Sequence, residues 1–208
     1  MTESLTFYTH PQSRGRTARW MLEETGVPYD TVLLDYRGSM KAPDYLAVNP
    51  MGKVPAIIHG RQVVTEGAAI CAYLADAFPK AGLGPKAEER GAYYRALFFA
   101  SGPLEAAIVN RALKVELTEE QQGFVGYGSF ERTMTALEAM LKQSDFAAGD
   151  RFTAADVYLG AQIGFGLRFG TIDGRKTFTD YWHRVADRPA RLRAAQIDDA
   201  LLPKETPK

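Results

Sequence analysis

The sequence predicts a mixed α/β domain followed by an all-helical domain, and three observations support this. Short strand-like and helix-like segments follow one another over residues 1–79 in the order β-α-β, loop, β-β-α. Proline and glycine then crowd together in Pro79-Lys80-Ala81-Gly82-Leu83-Gly84-Pro85-Lys86, which is typical of a linker. Beyond residue 88 the apolar residues recur at helical spacing, without any strand pattern. We therefore expect domains at 1–79 and 88–208, with a linker at 80–87.

The first three elements form a β-α-β unit. Leu5–Tyr8 alternates as a short strand, and Ser13 is a natural N-cap for a helix from about Arg14 to Thr25. Gly26 signals the end of that helix, and Tyr29–Leu34 reads as a second strand. Two strands joined by a helix of this length are expected to be parallel, with a right-handed crossover.

A β-hairpin follows an irregular loop. The loop, Asp35–Val48, has no clear period and is predicted to contain one turn of helix. Two short apolar runs then flank the turn His59-Gly60-Arg61-Gln62. Pro55 stands at the entry to the hairpin, where a proline removes a ladder donor, so we expect the backbone to turn aside and present its polar groups. The Val54–Pro55 bond is the best candidate for a cis peptide.

Helices account for the rest of the chain. Thr65 is expected to end the hairpin and cap a helix from Glu66 to Ala77. In the second domain, Thr followed three residues later by Gln or Asp marks helix starts at Thr118 and Thr153. The helices expected there are Glu88–Leu113, Glu119–Leu141, one that begins after Thr153, Phe178–Ala186 and Pro189–Ala195.

The composition is that of a soluble globular protein and excludes several classes of function. Hydrophobic residues make up 46% and charged residues 24%. Lys+Arg and Asp+Glu both number 25, so there is no electrostatic case for binding nucleic acid or an anionic membrane. The start of the sequence lacks the pattern of a signal peptide, no apolar run has transmembrane length, and the single cysteine, Cys71, fits a reducing cytoplasm. The three histidines have no ligand spacing, so we expect no metal site.

Three motifs carry a family resemblance. They are Asn49-Pro50-x-Gly52-Lys53-Val54-Pro55, Thr65-Glu66-Gly67-Ala68-Ala69-Ile70 and Thr153-x-x-Asp156. With this order and spacing, the chain resembles a soluble glutathione transferase over essentially its whole length. The resemblance implies a thioredoxin-like N-terminal domain (β-α-β-α-β-β-α) and an all-α C-terminal domain. The first loop, Ser13-Arg14-Gly15-Arg16-x-x-Arg19-Trp20-x-Leu22-Glu23-Glu24, is similar to that of a bacterial and fungal subgroup with a Ser-Arg-x-x-Arg loop.

The resemblance implies glutathione as co-substrate and assigns residues to it. The main chain of Val54, next to Pro55, pairs with the cysteinyl part, as a peptide pairs with a free strand edge. Lys53 meets the glycine carboxylate, and Glu66 takes the α-ammonium of the γ-glutamyl group. The Gly67 N–H, at a helix N-terminus, receives the γ-glutamyl carboxylate. Family members usually have serine at this last position, so one hydroxyl donor is missing here. By itself, Glu66 is equally well explained as an acid placed for the helix dipole.

The residue that activates the thiol is left open among three candidates. The sulfur must be held as thiolate, because the thiolate is the nucleophile. Ser13 is placed to donate a hydrogen bond at a helix N-terminus, and several classes of the family use a serine. Tyr8 is the rival, because other classes use a tyrosine, but they place it four residues before the Arg-Gly-Arg, where this chain has His10. Arg16 can also stabilise the sulfur, although arginines on a first turn are more often solvated. We favour Ser13.

The function implied is a cytoplasmic glutathione transferase that conjugates the thiolate to a small hydrophobic electrophile, with peroxide reduction as an extension. The family pairs as twofold dimers, so we expect a homodimer. One alternative is a non-catalytic binding or regulatory protein that kept the fold. Another is a lyase or reductase that uses a first-loop cysteine, at the position of Ser13 in this chain. The acceptor pocket is open; its candidate walls, which helical spacing equally assigns to the core, are Tyr93, Tyr94, Phe98, Phe99 and Phe165.

Overall fold

A four-stranded mixed sheet is built from the first third of the chain in the structure, a computed structural model that describes residues 3–202. β1 (Leu5–Thr9) pairs in parallel with β2 (Asp30–Leu33), as the β-α-β order predicts, and antiparallel with β3 (Ala56–His59). A tight turn leads from β3 into β4 (Gln62–Thr65), which confirms the hairpin. The strand order is β2-β1-β3-β4. Gly60 has φ 56° in the turn, a conformation that glycine adopts without strain.

Three helices accompany the sheet: α1 (Gly15–Thr25), α2 (Pro43–Val48) and α3 (Gly67–Ala77). Together with the strands they confirm the predicted β-α-β-α-β-β-α order. The loop before the hairpin is more regular than the single turn that we expected, because a 3₁₀ turn precedes α2 and Pro43 occupies the first helical position, where its missing N–H is not needed.

The core of this part of the chain lies between the sheet and the inner faces of α1 and α3. Alternate residues of β1 are buried, so one face of the strand packs against the core. Cys71 is fully buried on α3, and burial raises the pKa of its thiol. The buried apolar side chains from β1, β3, α1 and α3 include Leu5, Phe7, Ala18, Met21, Leu22, Ile57, Ile70 and Leu74.

The second part of the chain, residues 82–187, forms its own compact unit. Apart from one isolated bridge between Phe146 and Gly149, all regular structure described there is helical, as predicted. No helix among residues 3–202 is long and apolar enough to cross a membrane. The helices of this unit are α4 (Arg90–Phe99), α5 (Glu105–Ala112), α6 (Glu119–Phe124), α7 (Phe130–Leu141), α8 (Ala154–Phe169) and α9 (Lys176–Ala186).

Two long helices that the sequence predicts are each divided in the structure. A π-helical turn, Ala100–Leu104, separates α4 from α5 and contains Pro103, which has no N–H to donate within a helix. Gly128, with φ 68°, interrupts the second predicted helix between α6 and α7. Ser129 then caps α7, because its hydroxyl oxygen accepts a hydrogen bond from the Arg132 amide.

The start of α8 confirms the predicted capping pattern and extends it. Asp156 is fully buried, and one of its carboxylate oxygens accepts from both the amide (2.8 Å) and the hydroxyl (3.0 Å) of Thr153. Its other oxygen accepts from the Ala147 amide (2.7 Å) and the Tyr181 hydroxyl (2.8 Å). Burial raises the pKa of Asp156, against these hydrogen bonds that lower it. One carboxylate therefore joins the start of α8, the preceding loop and α9.

The last helix, α10 (Pro189–Ala200), corrects the predicted domain boundary. We expected it in the helical domain at 88–208, but residues 188–202 group with residues 3–81 in the first unit. The reason is that α10 packs against α1 and buries an ion pair there, in which the Arg19 Nε lies 2.8 Å from the Asp198 carboxylate. The helix also continues five residues beyond its predicted end at Ala195.

Candidate active site

The loop before the hairpin is organised around Asn49. Its side-chain amide donates to the Lys53 carbonyl (2.8 Å), its side-chain oxygen accepts from the Met51 amide (3.1 Å), and its carbonyl accepts from the Gly52 amide (2.8 Å). The Tyr45 hydroxyl also donates to the Lys53 carbonyl, at 2.5 Å. Burial raises the pKa of Tyr45 to about 12, so the phenol keeps its proton for this bond at neutral pH. These bonds fix the backbone that leads into the hairpin.

The peptide that follows presents free backbone groups. The Val54–Pro55 bond is cis, as predicted. Among residues 3–202, neither the N–H nor the C=O of Val54 has a hydrogen-bond partner. The Val54 side chain packs, beside that of Tyr8, against a buried cluster formed by Leu34, Met40, Tyr45 and Ala56. Since backbone polar groups are nearly always paired in a folded protein, this half-buried edge is available to a ligand.

The start of α3 carries a second set of free groups. Glu66 lies at the N-cap, just before the helix that we expected it to open, with φ 65° and ψ 119°. A non-glycine residue held in such a conformation costs roughly 1–3 kcal/mol, and residues of this kind cluster at ligand sites. No side chain caps α3, so its first amides, beginning at Gly67, face outward from the helix.

Two opposite charges border these groups. Neither the Lys53 ammonium nor the Glu66 carboxylate has an ion-pair partner within the described part of the chain. Both side chains are exposed. A ligand that carries a carboxylate and an ammonium would supply the missing partners.

Ser13 lies at the N-terminal end of α1, as predicted, but Arg14 rather than Ser13 is the cap residue. The Ser13 hydroxyl donates to the His10 carbonyl (2.6 Å) and accepts from the Gly15 amide (2.9 Å). The Ser13 amide donates to the same His10 carbonyl (3.0 Å). The position of the hydroxyl oxygen is therefore fixed from two sides.

Tyr8 and Arg16 have different surroundings. The Tyr8 ring lies 5.4 Å from the Tyr45 ring, and its hydroxyl has no hydrogen-bond partner among residues 3–202. Arg16 instead points its guanidinium at α10, where both terminal nitrogens donate to Asp199 and Nε lies 4.0 Å from Asp198. The structure thus packs Tyr8 and Val54 against the same buried cluster and places Ser13 beside the His10 backbone. It directs the guanidinium of Arg16 at α10.

The aromatic residues suggested as pocket walls do not share one environment. Tyr93 is buried, whereas Tyr94 and Phe98 on the same helix are exposed. A cavity of about 390 Å³ in the second unit is lined by other residues, among them Asn110 and Phe130. Within residues 3–202, no cluster of three or more His, Cys, Asp or Glu side chains is arranged to hold a metal ion.

Comparison with known families gives two matches in this chain. Residues 13–77 match the model of the glutathione S-transferase N-terminal domain, and residues 88–165 match that of the glutathione S-transferase C-terminal domain. Together the matches span well over half of the chain. The chain belongs to the glutathione S-transferase family. Its two-domain fold, predicted from the sequence, is confirmed by both matches.

Individual members of the glutathione S-transferase family are similar over nearly the full length. Glutathione S-transferase GST-4.5 of Xanthomonas campestris is 28% identical over 202 residues, which cover 92% of this chain and 98% of the relative. A sphingomonad glutathione S-transferase, solved in complex with glutathione, has a TM-score of 0.75 and 28% identity and covers 93% of this chain and 98% of its own. A glutathione transferase of Phanerochaete chrysosporium, solved with oxidized glutathione, has a TM-score of 0.77 at 24% identity, covers 96% of this chain and 98% of its own, and supports the fold.

Sequence reasoning missed several residues that shape the site of this glutathione S-transferase. Asn49 had a signal, since Asn-Pro followed by glycine predicts a turn in which the asparagine side chain bonds nearby amides. Tyr45 had none, because the loop around it has no periodicity. The acids of α10 that engage Arg16 and Arg19 are far away in sequence and could not be assigned to α1.

Proposed function

We propose that this protein is a glutathione transferase whose first unit binds glutathione and holds its sulfur as the thiolate. The thiol loses its proton to solvent, and the sulfur lone pair then forms a bond to an electrophilic carbon of a small apolar molecule, whose leaving group departs with its electron pair. With a peroxide, the sulfur bonds to one oxygen, the O–O bond breaks, and the other oxygen takes a proton from solvent and leaves as an alcohol or water. The sulfenic acid formed in this way condenses with a second glutathione to give the disulfide and water. The observation that carries this proposal is the free peptide edge at Val54, because glutathione is itself a peptide and can supply the matching N–H and C=O.

The charges around the edge support the same ligand. Lys53 provides a cation for the glycine carboxylate, and Glu66 an anion for the α-ammonium. The γ-glutamyl carboxylate is assigned to the uncapped N-terminus of α3, beginning at the Gly67 amide. Each end of the tripeptide therefore meets a group of opposite charge.

The Ser13 hydroxyl can donate a hydrogen bond to the thiolate without any movement of heavy atoms. If the hydroxyl hydrogen rotates from the His10 carbonyl to the thiolate, the Gly15 amide still holds the oxygen. The His10 carbonyl keeps a partner, because the Ser13 amide also donates to it. A hydrogen bond to a charged acceptor is stronger than one to a neutral carbonyl, so the rotation is favourable once the thiolate is present.

Replacement of Ser13 tests this assignment. We expect Ser13→Ala to lower turnover roughly tenfold or more, since a hydrogen bond to a charged group contributes about 1.5–3 kcal/mol. Glutathione affinity should change little, because the sulfur is the only part of glutathione that the serine contacts in this proposal. Steady-state kinetics and calorimetry separate the two effects. Tyr8→Phe is the matched control for the rival phenol; if it abolishes turnover while Ser13→Ala does not, Ser13 is the wrong residue.

Gly67 offers a gain-of-affinity test of the binding mode. Its φ is not positive, so a serine there meets no backbone strain, and the new hydroxyl would add a donor for the γ-glutamyl carboxylate. We expect Gly67→Ser to tighten glutathione binding by about 1–2 kcal/mol, which is roughly fivefold to thirtyfold in Kd. Ala69→Ser, in the same turn, is the control. Calorimetry that finds equal affinity in both variants would remove the carboxylate from the start of α3.

The finer features of the proposal rest on the family. We place the chain in the subgroup with the Ser13-Arg14 first loop, in the cytoplasm, and acting on small hydrophobic electrophiles. We also propose a homodimer, supported by an exposed apolar surface on α4, where Tyr94 and Phe98 lie one turn apart and are 47% and 72% exposed. Sedimentation velocity of the purified chain measures the association directly.

A further inference from the structure

His10 is held in one orientation by groups of its own neighbourhood. Its Nδ1 accepts a hydrogen bond from the Gln12 amide at 3.1 Å. Its ring packs against that of Tyr36, with 4.5 Å between the centroids and a tilt of 48°. The Tyr36 hydroxyl in turn donates to the Gln12 carbonyl (3.0 Å), which ties the supporting residue to the same loop. The imidazole is thus fixed at its edge and on its face.

The hydrogen bond at Nδ1 decides where the imidazole carries its proton. A nitrogen that accepts from an amide must present its lone pair, so the proton of the neutral ring lies on Nε2. Among residues 3–202, no group accepts a hydrogen bond from this Nε2–H. His10 therefore offers a fixed donor without an acceptor, in a half-buried position.

This donor belongs to the loop that activates the thiol. The hydroxyl and the amide of Ser13 both bond to the carbonyl of His10, so the two residues are held together. His10 precedes Ser13 by three residues in the same turn, so the imidazole and the hydroxyl are carried by one short loop. A thiolate accepts several hydrogen bonds at once, and each one that is directed at it favours the charged form.

We propose that the His10 Nε2–H donates a second hydrogen bond to the glutathione thiolate, beside that of Ser13; this inference rests on the proposed function. The S–H bond breaks with its electron pair left on sulfur, the proton passes to solvent, and His10 keeps its own proton throughout. A general-base role does not fit the geometry. It would require the neutral ring to carry its proton on Nδ1, where it would face the Gln12 N–H.

Two substitutions separate hydrogen bonding from packing. His10→Phe keeps a ring against Tyr36 but has no N–H, whereas His10→Gln loses the ring and retains an amide N–H at nearly the same distance from the backbone. We expect His10→Phe to raise the pKa of enzyme-bound glutathione, read from its thiolate ultraviolet absorbance, by about one unit and to lower kcat roughly tenfold. His10→Gln should stay within about threefold of the parent in kcat, the loss expected from a less rigid donor. Glutathione Kd should be similar in all three proteins.

The control is His183→Phe, which replaces an exposed histidine of α9. A bound-thiol pKa in His10→Phe equal to that of the parent overturns the proposal, as does a His10→Gln variant as impaired as His10→Phe. Both results would leave the glutathione transferase function standing. If the parent protein itself shows no glutathione binding in calorimetry, the proposed function fails, and the role of His10 fails with it.

Discussion

Replacing Asp156 with alanine is expected to lower the melting temperature by about 10 °C, with a loss of at least about 3 kcal/mol of unfolding free energy. The buried carboxylate accepts four hydrogen bonds, from the amide and hydroxyl of Thr153, the Ala147 amide and the Tyr181 hydroxyl. Alanine leaves these donors without an acceptor in a site that water does not reach. A buried donor left unsatisfied costs about 1–3 kcal/mol, and the helix also loses its cap.

Two controls make the experiment on Asp156 specific. Tyr181→Phe removes one of the four bonds and should cost only about 1 kcal/mol, since its hydroxyl leaves together with its need for a partner. Asp150→Ala replaces an exposed acid in the preceding loop and should change stability by less than about 0.5 kcal/mol. Thermal and urea unfolding measure all three variants. If Asp156→Ala is no less stable than Tyr181→Phe, the carboxylate does not join these elements.

Replacing Asp198 with alanine is expected to cost about 3–5 kcal/mol, because it strands a buried charge. Arg19 is 1% exposed and Asp198 0% exposed, with 2.8 Å between the guanidinium Nε and the carboxylate. The other hydrogen-bond partners of Arg19 are two neutral oxygens at longer distance, the hydroxyls of Tyr29 (3.2 Å) and Thr31 (3.3 Å). The guanidinium also lies 5.1 Å from the centre of the Phe7 ring. Neither oxygen can replace the lost negative charge.

The neighbouring acid supplies the control for Asp198. Asp199 also pairs with an arginine of α1, but its side chain is 60% exposed, so Asp199→Ala should cost less than about 1 kcal/mol. The double variant Arg19→Met/Asp198→Leu removes both buried charges and should recover most of the stability lost in Asp198→Ala, since apolar pairs replace buried ion pairs well. Equal melting temperatures for Asp198→Ala and Asp199→Ala would show that burial adds nothing to this pair.

The features that the sequence predicted correctly depend on residues close together in the chain. The capping pairs at Thr118 and Thr153 each span four residues, as does the hairpin turn. The cis bond at Pro55 was proposed from the residue type and its position at a strand entry, and it is confirmed. In each case the physical cause lies within one turn of backbone, so a single sequence contains it.

The features that were wrong or missed depend on distant partners or on backbone angles. α10 was assigned to the helical domain because its periodicity defines a helix but not the surface that it covers; its bond to Arg19 joins residues 179 positions apart. Glu66 was expected inside the first turn of α3, yet its positive φ places it before the helix, and glutamate has no preference for that conformation. Which ring nitrogen of His10 carries the proton depends on a hydrogen bond that Nδ1 accepts from the Gln12 amide. No spacing of residues in the sequence predicts that bond.

Because α10 belongs to the first unit but follows the second unit in the sequence, the first unit cannot be completed until the second has been translated. Residues 188–202 leave the ribosome only after the entire second unit, which is one continuous stretch. At about 5–20 residues per second, the nascent first unit waits roughly 5–20 s for its last helix. Throughout that interval Arg19 has no Asp198, and the surface of α1 that α10 covers is exposed to chaperones and to other nascent chains. The unit that begins to be synthesised first is therefore the last to be completed, and a ribosome that stops before residue 188 releases a chain whose first unit lacks α10.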